Sequence, residues 1–301
     1  SMPLVSFNQL MQAAEAGGYA VGYFESWNLE SLLAVADAAE AVRSPVILGF
    51  SGLSLPHPER VVKEKLRIYA ALGLETCHSL SVPAALIFNE SPNLGWVMDA
   101  IDLGFNLVMF SDEQLSWHEQ AERVASVVRS AHAAGAAVEG EMTSLPGIHG
   151  ELRMAPSEAH LDDPELARQF VERTGVDALA VNIGQAHTHG HSQLRLNLQR
   201  LAELRAVVPV PLVLHGATSI HPPDLAAAVQ GGVRKINVGS ILKRTFLETL
   251  RRATNQLGEG YNPYQVVGSG LADDVLSQAR LAVQKVVEDL MRLFGSAGQV
   301  A

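Results

Sequence analysis

The stretch Val210-Pro211-Leu212-Val213-Leu214-His215-Gly216-Ala217-Thr218 sets five apolar residues directly before a histidine and a glycine-bearing loop. A strand without polar alternation is one covered on both faces, as in a parallel sheet flanked by helices. Seven similar runs recur along the chain: Tyr19–Phe24, Pro45–Phe50, Ala84–Phe88, Leu107–Phe110, Ala137–Met142, Ala178–Asn182 and Arg234–Asn237. Helical patterns lie between them, with readable ends. Asn28 stands as an N-cap before the apolar face Leu29, Leu32, Leu33, Ala36 and Ala39. Ser116 with Glu119 forms a capping box, and Asp163-Pro164 opens a helix that Gly175 closes. Eight strand-then-helix units in this order predict an α/β chain closed into a (β/α)8, or TIM, barrel.

After the eighth unit, Asn255–Ser269 is rich in glycine and polar turn residues, and a long helical pattern covers Asp274–Phe294. The expectation is one barrel domain over residues 1–301. Of this, about 257–301 forms an extra C-terminal helical extension, packed outside the barrel or against another subunit. At 301 residues the chain has the length of such a barrel.

Composition narrows the function. With 48% apolar and 18% charged residues the chain can bury a large core and keep a polar surface. A formal net charge of −10 works against a nucleic-acid partner, which needs a basic surface to neutralise phosphates. The lone Cys77 excludes an internal disulfide and fits a reducing, cytoplasmic setting. No uninterrupted apolar run is long enough to span a membrane, and Ser1 before Met2 reads as a tag remnant.

In such a barrel the functional groups stand where strands run out into their following loops. The third strand leads to Asn89 and Glu90, the fourth to Ser111 and Asp112, and the fifth carries Glu139 and Glu141. The sixth leads to His187, the seventh ends at His215 and the eighth at Asn237. Neighbouring parallel strands lie about 5 Å apart, so His187 and His215, one βα unit apart, could share a divalent ion. Each alone reads better as a hydrogen-bonded strand cap; together, beside acidic residues, they read as metal ligands. His189 and His191 read as solvated loop residues. The loops Gly216-Ala217-Thr218 and Val238-Gly239-Ser240 offer exposed N–H groups, hydroxyls and a helix start, which suit a phosphate. A plain turn followed by a serine N-cap explains the second loop nearly as well.

These residues sit within a wider likeness. The sequence resembles the class II ketose-bisphosphate aldolases, especially the branch of fructose- and tagatose-bisphosphate aldolases. The likeness spans most of the chain and is carried by Asn28-Leu29-Glu30, Ser44–Leu48, Gly104–Met109, Val138-Glu139-Gly140-Glu141, Phe170–Val181, Leu214–Thr218 and Lys235-Ile236-Asn237-Val238. It implies a catalytic zinc, or another divalent metal, on His187 and His215. In the family the third ligand follows an acid/base aspartate in a Leu-Asp-His segment, which here reads Phe88-Asn89-Glu90. Glu90 thus takes the third-ligand place, since two histidines and a glutamate make a sound zinc shell. Asn89 takes the acid/base place, where it can orient a hydroxyl but not exchange a proton. Two other family segments are altered: Asp-Gly-Ser to Ser111-Asp112-Glu113, and Ala-His-Gly to Ala186-His187-Thr188. The resemblance further implies a base from the loop 143–160, where His149 and Glu151 are the candidates, and substrate contact by Asn237. Phosphate would lie on Gly216, Thr218, Asn237, Gly239 and Ser240.

The leading expectation is a carbon–carbon lyase that acts on a phosphorylated ketose, or a related carbonyl compound, through a metal-stabilised enediolate. The changed residue at 89 favours two alternatives on the same barrel: a metal-dependent isomerase or epimerase, and an aldolase for a non-phosphorylated substrate. A further alternative is a non-catalytic, ligand-binding descendant. The partner is a small sugar phosphate, with neither nucleic acid nor membrane, and the family's habit implies a homo-oligomer, dimer or tetramer.

Overall fold

In a computed structural model, which describes residues 3–147 and 161–300, eight parallel strands close into a barrel in sequence order. They are β1 (Val21–Ser26), β2 (Val46–Ser51), β3 (Ala84–Ser91), β4 (Leu107–Phe110), β5 (Ala137–Glu141), β6 (Ala178–Ala180), β7 (Leu212–Leu214) and β8 (Val233–Val238). Pairing of β8 with β1, with Tyr23 opposite Asn237, closes the ring. A helix follows each strand: α2 (Leu29–Val42), α3 (Leu66–Ser79), α4 (Leu94–Asp102), α5 (Trp117–Ala133), α6 (Pro164–Thr174), α7 (Leu198–Val207), α8 (Pro222–Gln230) and α9 (Ser240–Asn255). The expected (β/α)8 barrel is the fold.

The helix ends follow the local chemistry of the sequence. Asn28 accepts from the Ser31 N–H while the Ser31 hydroxyl accepts from the Asn28 N–H. Ser116 and Glu119 make the same reciprocal pair, Asp163 caps α6 ahead of Pro164, and Gly175 closes it at φ +74°. Strands differ more from expectation. Strands β1 and β3 run on through the polar residues Glu25-Ser26 and Asn89–Ser91. Backbone pairing continues there after the apolar run has stopped, because the ladder is indifferent to side-chain polarity.

One helix precedes the strand–helix repeat and was not among the expected elements. Helix α1 (Phe7–Gly17) packs Phe7, Leu10, Met11 and Ala14 against the barrel interior at Val21, Ile47, Ala85, Leu107 and Val213, plugging the bottom. The C-terminal pattern forms α10 (Pro263–Val266) and α11 (Val275–Leu293). Helix α11 lies across α2 and α9 on its own barrel, burying Ala279, Val283, Val287 and Met291, with Arg280 paired to Asp37 at 2.6 Å. Closure at the bottom and side leaves the C-terminal mouth as the open end. No helix among the described residues is long and apolar enough to cross a membrane.

Candidate active site

At the mouth lies a cavity of about 600 Å3 whose walls include Asn89, Glu90, His187, His215, Asn237 and Ser240. Asn89 and Glu90 are consecutive, and in a regular strand their side chains would point to opposite faces. The ladder between β3 and β4 shifts register between Phe88 and Ser91, and Glu90 takes a left-handed backbone at φ +57°. The bulge turns both side chains into the cavity. A left-handed glutamate is uncommon, and strain of this kind concentrates at functional sites.

Strand β5 supplies the other acids. Glu139 and Glu141 are two residues apart, so both point inward, and both are buried. Gly140 between them faces outward, where an added Cβ would lie 2.9 Å from Val176 and 3.0 Å from Phe170 of α6. Glu141 is held through Oε1 by the Ser111 hydroxyl and, at 3.2 Å, by the Ser144 hydroxyl. Its Oε2 lies 3.9 Å from His215 Nδ1, which is also 3.9 Å from Glu90 Oε1. On the other side of the ring, His215 Nε2 lies 2.7 Å from Glu139 Oε1, within hydrogen-bond distance.

His215 Nδ1 and Glu90 Oε1 are buried without a hydrogen-bond partner. Buried polar atoms are rarely left so, and two aimed at one spot suit a ligand that satisfies both. Donor atoms from Glu90, Glu141 and His215 lie within 4.8 Å of one another, a set that fits a divalent cation. This differs from the expected trio of His187, His215 and Glu90. Glu141 stands in the cluster, and His187 is outside it. Strand β6 stops at Ala180, so His187 hangs on a loop, its N–H bound to the Pro146 carbonyl at 2.9 Å. Its Nε2 is nevertheless buried and unpartnered in the same cavity.

The electrostatics divide the acids into two kinds. Burial pushes the Glu90 carboxyl up to about 8, and the adjacent Glu141 adds to the rise. Burial also raises Glu141 itself. Glu139, equally buried, is held down to about 2 because Lys235 and His215 bond to its ionised form. His187 is pushed down to about 3 by burial and by the neighbouring His215 and His189, so its ring is neutral near pH 7.

Asn237 accepts from Lys235 through Oδ1 and turns its amide toward Asn89 Oδ1, 3.5 Å away. Gly216 stands at φ +70°, and the Thr218 hydroxyl accepts from the Ile241 N–H at 3.2 Å, tying the seventh loop to the start of α9. Ser240 is the first residue of α9. Gly239 takes the cap position, with no side-chain cap bond. The serine is therefore not an ordinary N-cap. Its hydroxyl contacts His189 Nδ1 at 2.9 Å, while His189 Nε2 contacts the Gly147 carbonyl at 3.2 Å. His189 is thus not a solvated loop residue, whereas His191 is exposed. The candidate bases His149 and Glu151 lie outside the described residues.

The comparisons with known proteins bear on the whole of this arrangement. The model of the class II fructose-bisphosphate aldolase family matches residues 5–299. The chain belongs to that family. It is 33% identical to the fructose-bisphosphate aldolase of Thermus caldophilus over a 319-position alignment, which covers 98% of this chain and 99% of the relative. The structure of the YdjI aldolase from Escherichia coli K12 superposes with a TM-score of 0.79 at 26% identity, over 99% of this chain and 100% of that one. The fructose-bisphosphate aldolase of Campylobacter jejuni shares the fold, with a TM-score of 0.78 at 20% identity over 98% and 96% of the two chains. The chain is accordingly an enzyme, a class II aldolase-type carbon–carbon lyase, from a family that is typically dependent on a divalent metal.

Proposed function

We propose that this aldolase-type lyase acts on a phosphorylated ketose, in the manner of the fructose- and tagatose-bisphosphate enzymes, with a divalent ion such as zinc held by Glu90, Glu141 and His215. The observation that carries the proposal is the pair of buried, unpartnered atoms, His215 Nδ1 and Glu90 Oε1, beside Glu141. His187, neutral and with a free Nε2 in the same cavity, is proposed as a further ligand. A bound divalent ion would supply Lewis acidity to polarise the substrate carbonyl.

The protein's own groups do the remainder. The N–H groups at Gly239 and the start of α9, with the Thr218 and Ser240 hydroxyls and Gly216, are proposed to bind phosphate at the positive end of a 16-residue helix. Asn89 and Asn237 hydrogen-bond substrate hydroxyls and fix their orientation, and neither exchanges a proton. The base is proposed, on resemblance alone, to be His149 or Glu151. The family's habit supports a single barrel domain with a helical extension over about 257–301, a cytoplasmic location and a homo-oligomer, dimer or tetramer.

Asn89 at the family's acid/base position favours a second reading, isomerisation or epimerisation on the same site. One experiment separates them. Metal-stripped protein reloaded with zinc is incubated in heavy water with a panel of ketose phosphates, and cleavage and deuterium uptake are followed together. Cleavage is expected; deuterium uptake without cleavage would establish the second reading, and neither would leave a binding protein.

A further inference from the structure

Beneath the metal-ligand cluster lies a second, enclosed layer of charge. Lys235 of β8 is fully buried, and its Nζ lies 2.7 Å from Glu139 Oε2. Glu139 reaches Lys235 from β5 past two intervening strands, β6 and β7, which turn only Ala178, Ala180 and Val213 into this interior layer. The ammonium faces three groups of complementary charge: Glu139, the Asn237 carbonyl oxygen and the face of Tyr23, whose ring centre is 5.3 Å away. A lysine that forms a Schiff base must offer a free amine to a carbonyl. Lys235 is walled off from the cavity and fully engaged.

We infer that Lys235 and Glu139 are positioning residues that hold His215 in the tautomer with its proton on Nε2, which leaves the Nδ1 lone pair aimed between Glu90 and Glu141. The inference rests on the metal site proposed above. With Lys235 Nζ 2.7 Å from one carboxylate oxygen of Glu139, the other oxygen faces the His215 ring at 2.7 Å as an acceptor, so the ring nitrogen there carries the hydrogen. In the neutral ring the other nitrogen is then the acceptor, at 3.9 Å from both carboxylates. A carboxylate bonded to the far nitrogen of a ligating imidazole fixes the ring and raises its basicity, and loss of such a partner weakens metal binding about 10- to 100-fold.

The test uses the double variant E139Q/K235M, which removes both charges together so that neither is left alone in the core. An amide can present oxygen or nitrogen to His215, so the tautomer is no longer dictated. Zinc affinity by calorimetry should weaken about 10- to 100-fold. In metal-free protein at alkaline pH, imidazole 15N shifts should place the His215 proton on Nε2 in the wild type and on both nitrogens in the variant. If the double variant unfolds, E139D, which keeps the ion pair but draws the carboxylate back by one methylene, should show the same direction of change. Unchanged zinc affinity in a folded variant, or a wild-type proton on Nδ1, would overturn the inference. A wild type that binds no zinc would instead sink the metal site, and the tautomer measurement would still decide the role of Glu139.

Discussion

Replacing Glu90 with glutamine should stabilise the metal-free protein while weakening its hold on zinc. Burial, with Glu141 beside it, raises the Glu90 carboxyl from 4.5 to about 8. An acid whose folded value lies above its unfolded value binds more protons when folded, so it subtracts stability as pH rises from the unfolded value through the folded one. Between pH 4.5 and 7.5 the window is three pH units, at about 1.4 kcal/mol each, or about 4 kcal/mol. That figure is an upper bound, because Glu141 shares the same local charge and takes part of the effect. Glutamine has no proton to lose, so the chelated E90Q variant should be more stable than chelated wild type at pH 7.5, with the advantage vanishing near pH 4.5. Asp162, raised to about 7 by burial, and His187, lowered to about 3, also tilt the pH profile. Both are common to the two proteins and drop out of the difference. Urea unfolding at several values between pH 5 and 8, with chelator present, measures it. Zinc should then stabilise wild type strongly and E90Q much less, since a ligand stabilises only as far as it binds the folded state. Parallel pH profiles for the two proteins would refute the reasoning.

Two further outcomes follow from the phosphate loops and the helix caps. His189→Ala removes the ring bonded to Ser240 and should weaken a phosphorylated ligand by about tenfold, the scale of one hydrogen bond to a charged group, while leaving a non-phosphorylated analogue unaffected; paired calorimetric titrations check this. Ser116→Ala breaks the capping box of α5 and should cost about 1 kcal/mol in urea unfolding without changing zinc affinity.

Most of the barrel was legible because its information is local. The apolar run Val210–Leu214 and the caps at Asn28, Ser116 and Asp163 each act within a few residues; the caps appear as read, and the run holds the shorter strand Leu212–Leu214. Helix α1 escaped the repeat because it precedes the first strand, although the Ser6 and Gln9 capping box was there to be found. At the site, strand-end polarity placed Asn89, Glu90, His187, His215 and Asn237 around one cavity. Two things were not visible. The left-handed bulge at Glu90 depends on the register of β3 against β4, a long-range property. The grouping of Glu141 rather than His187 with Glu90 and His215 depends on where β6 ends. Glu141 did carry a signal: two glutamates spaced by two in a fully buried strand must both face the barrel interior. His189 carried none, because its role comes from contacts with Ser240 and the Gly147 carbonyl across loops.

The charge count explains how the changed residues at 89 and 90 can sit in this site. The family's aspartate followed by histidine presents one negative and one neutral group, and Asn89 followed by Glu90 presents one neutral and one negative. The exchange conserves total charge while moving the carboxylate one residue along, from the acid/base place to the ligand place. Beneath it, Lys235 cancels Glu139. Two carboxyls then remain, Glu90 and Glu141, both raised by burial. Burying two ionised carboxylates together without compensation is costly, so shared protons, a charged His215 ring or a cation of charge two must offset them. Aspartate retained at 89 would have added a third carboxyl to that pair, which a single divalent ion could not neutralise. A neutral asparagine at 89 is therefore the electrostatically compatible neighbour for a glutamate at 90. A proton-transfer group for the reaction has to come from elsewhere in the mouth.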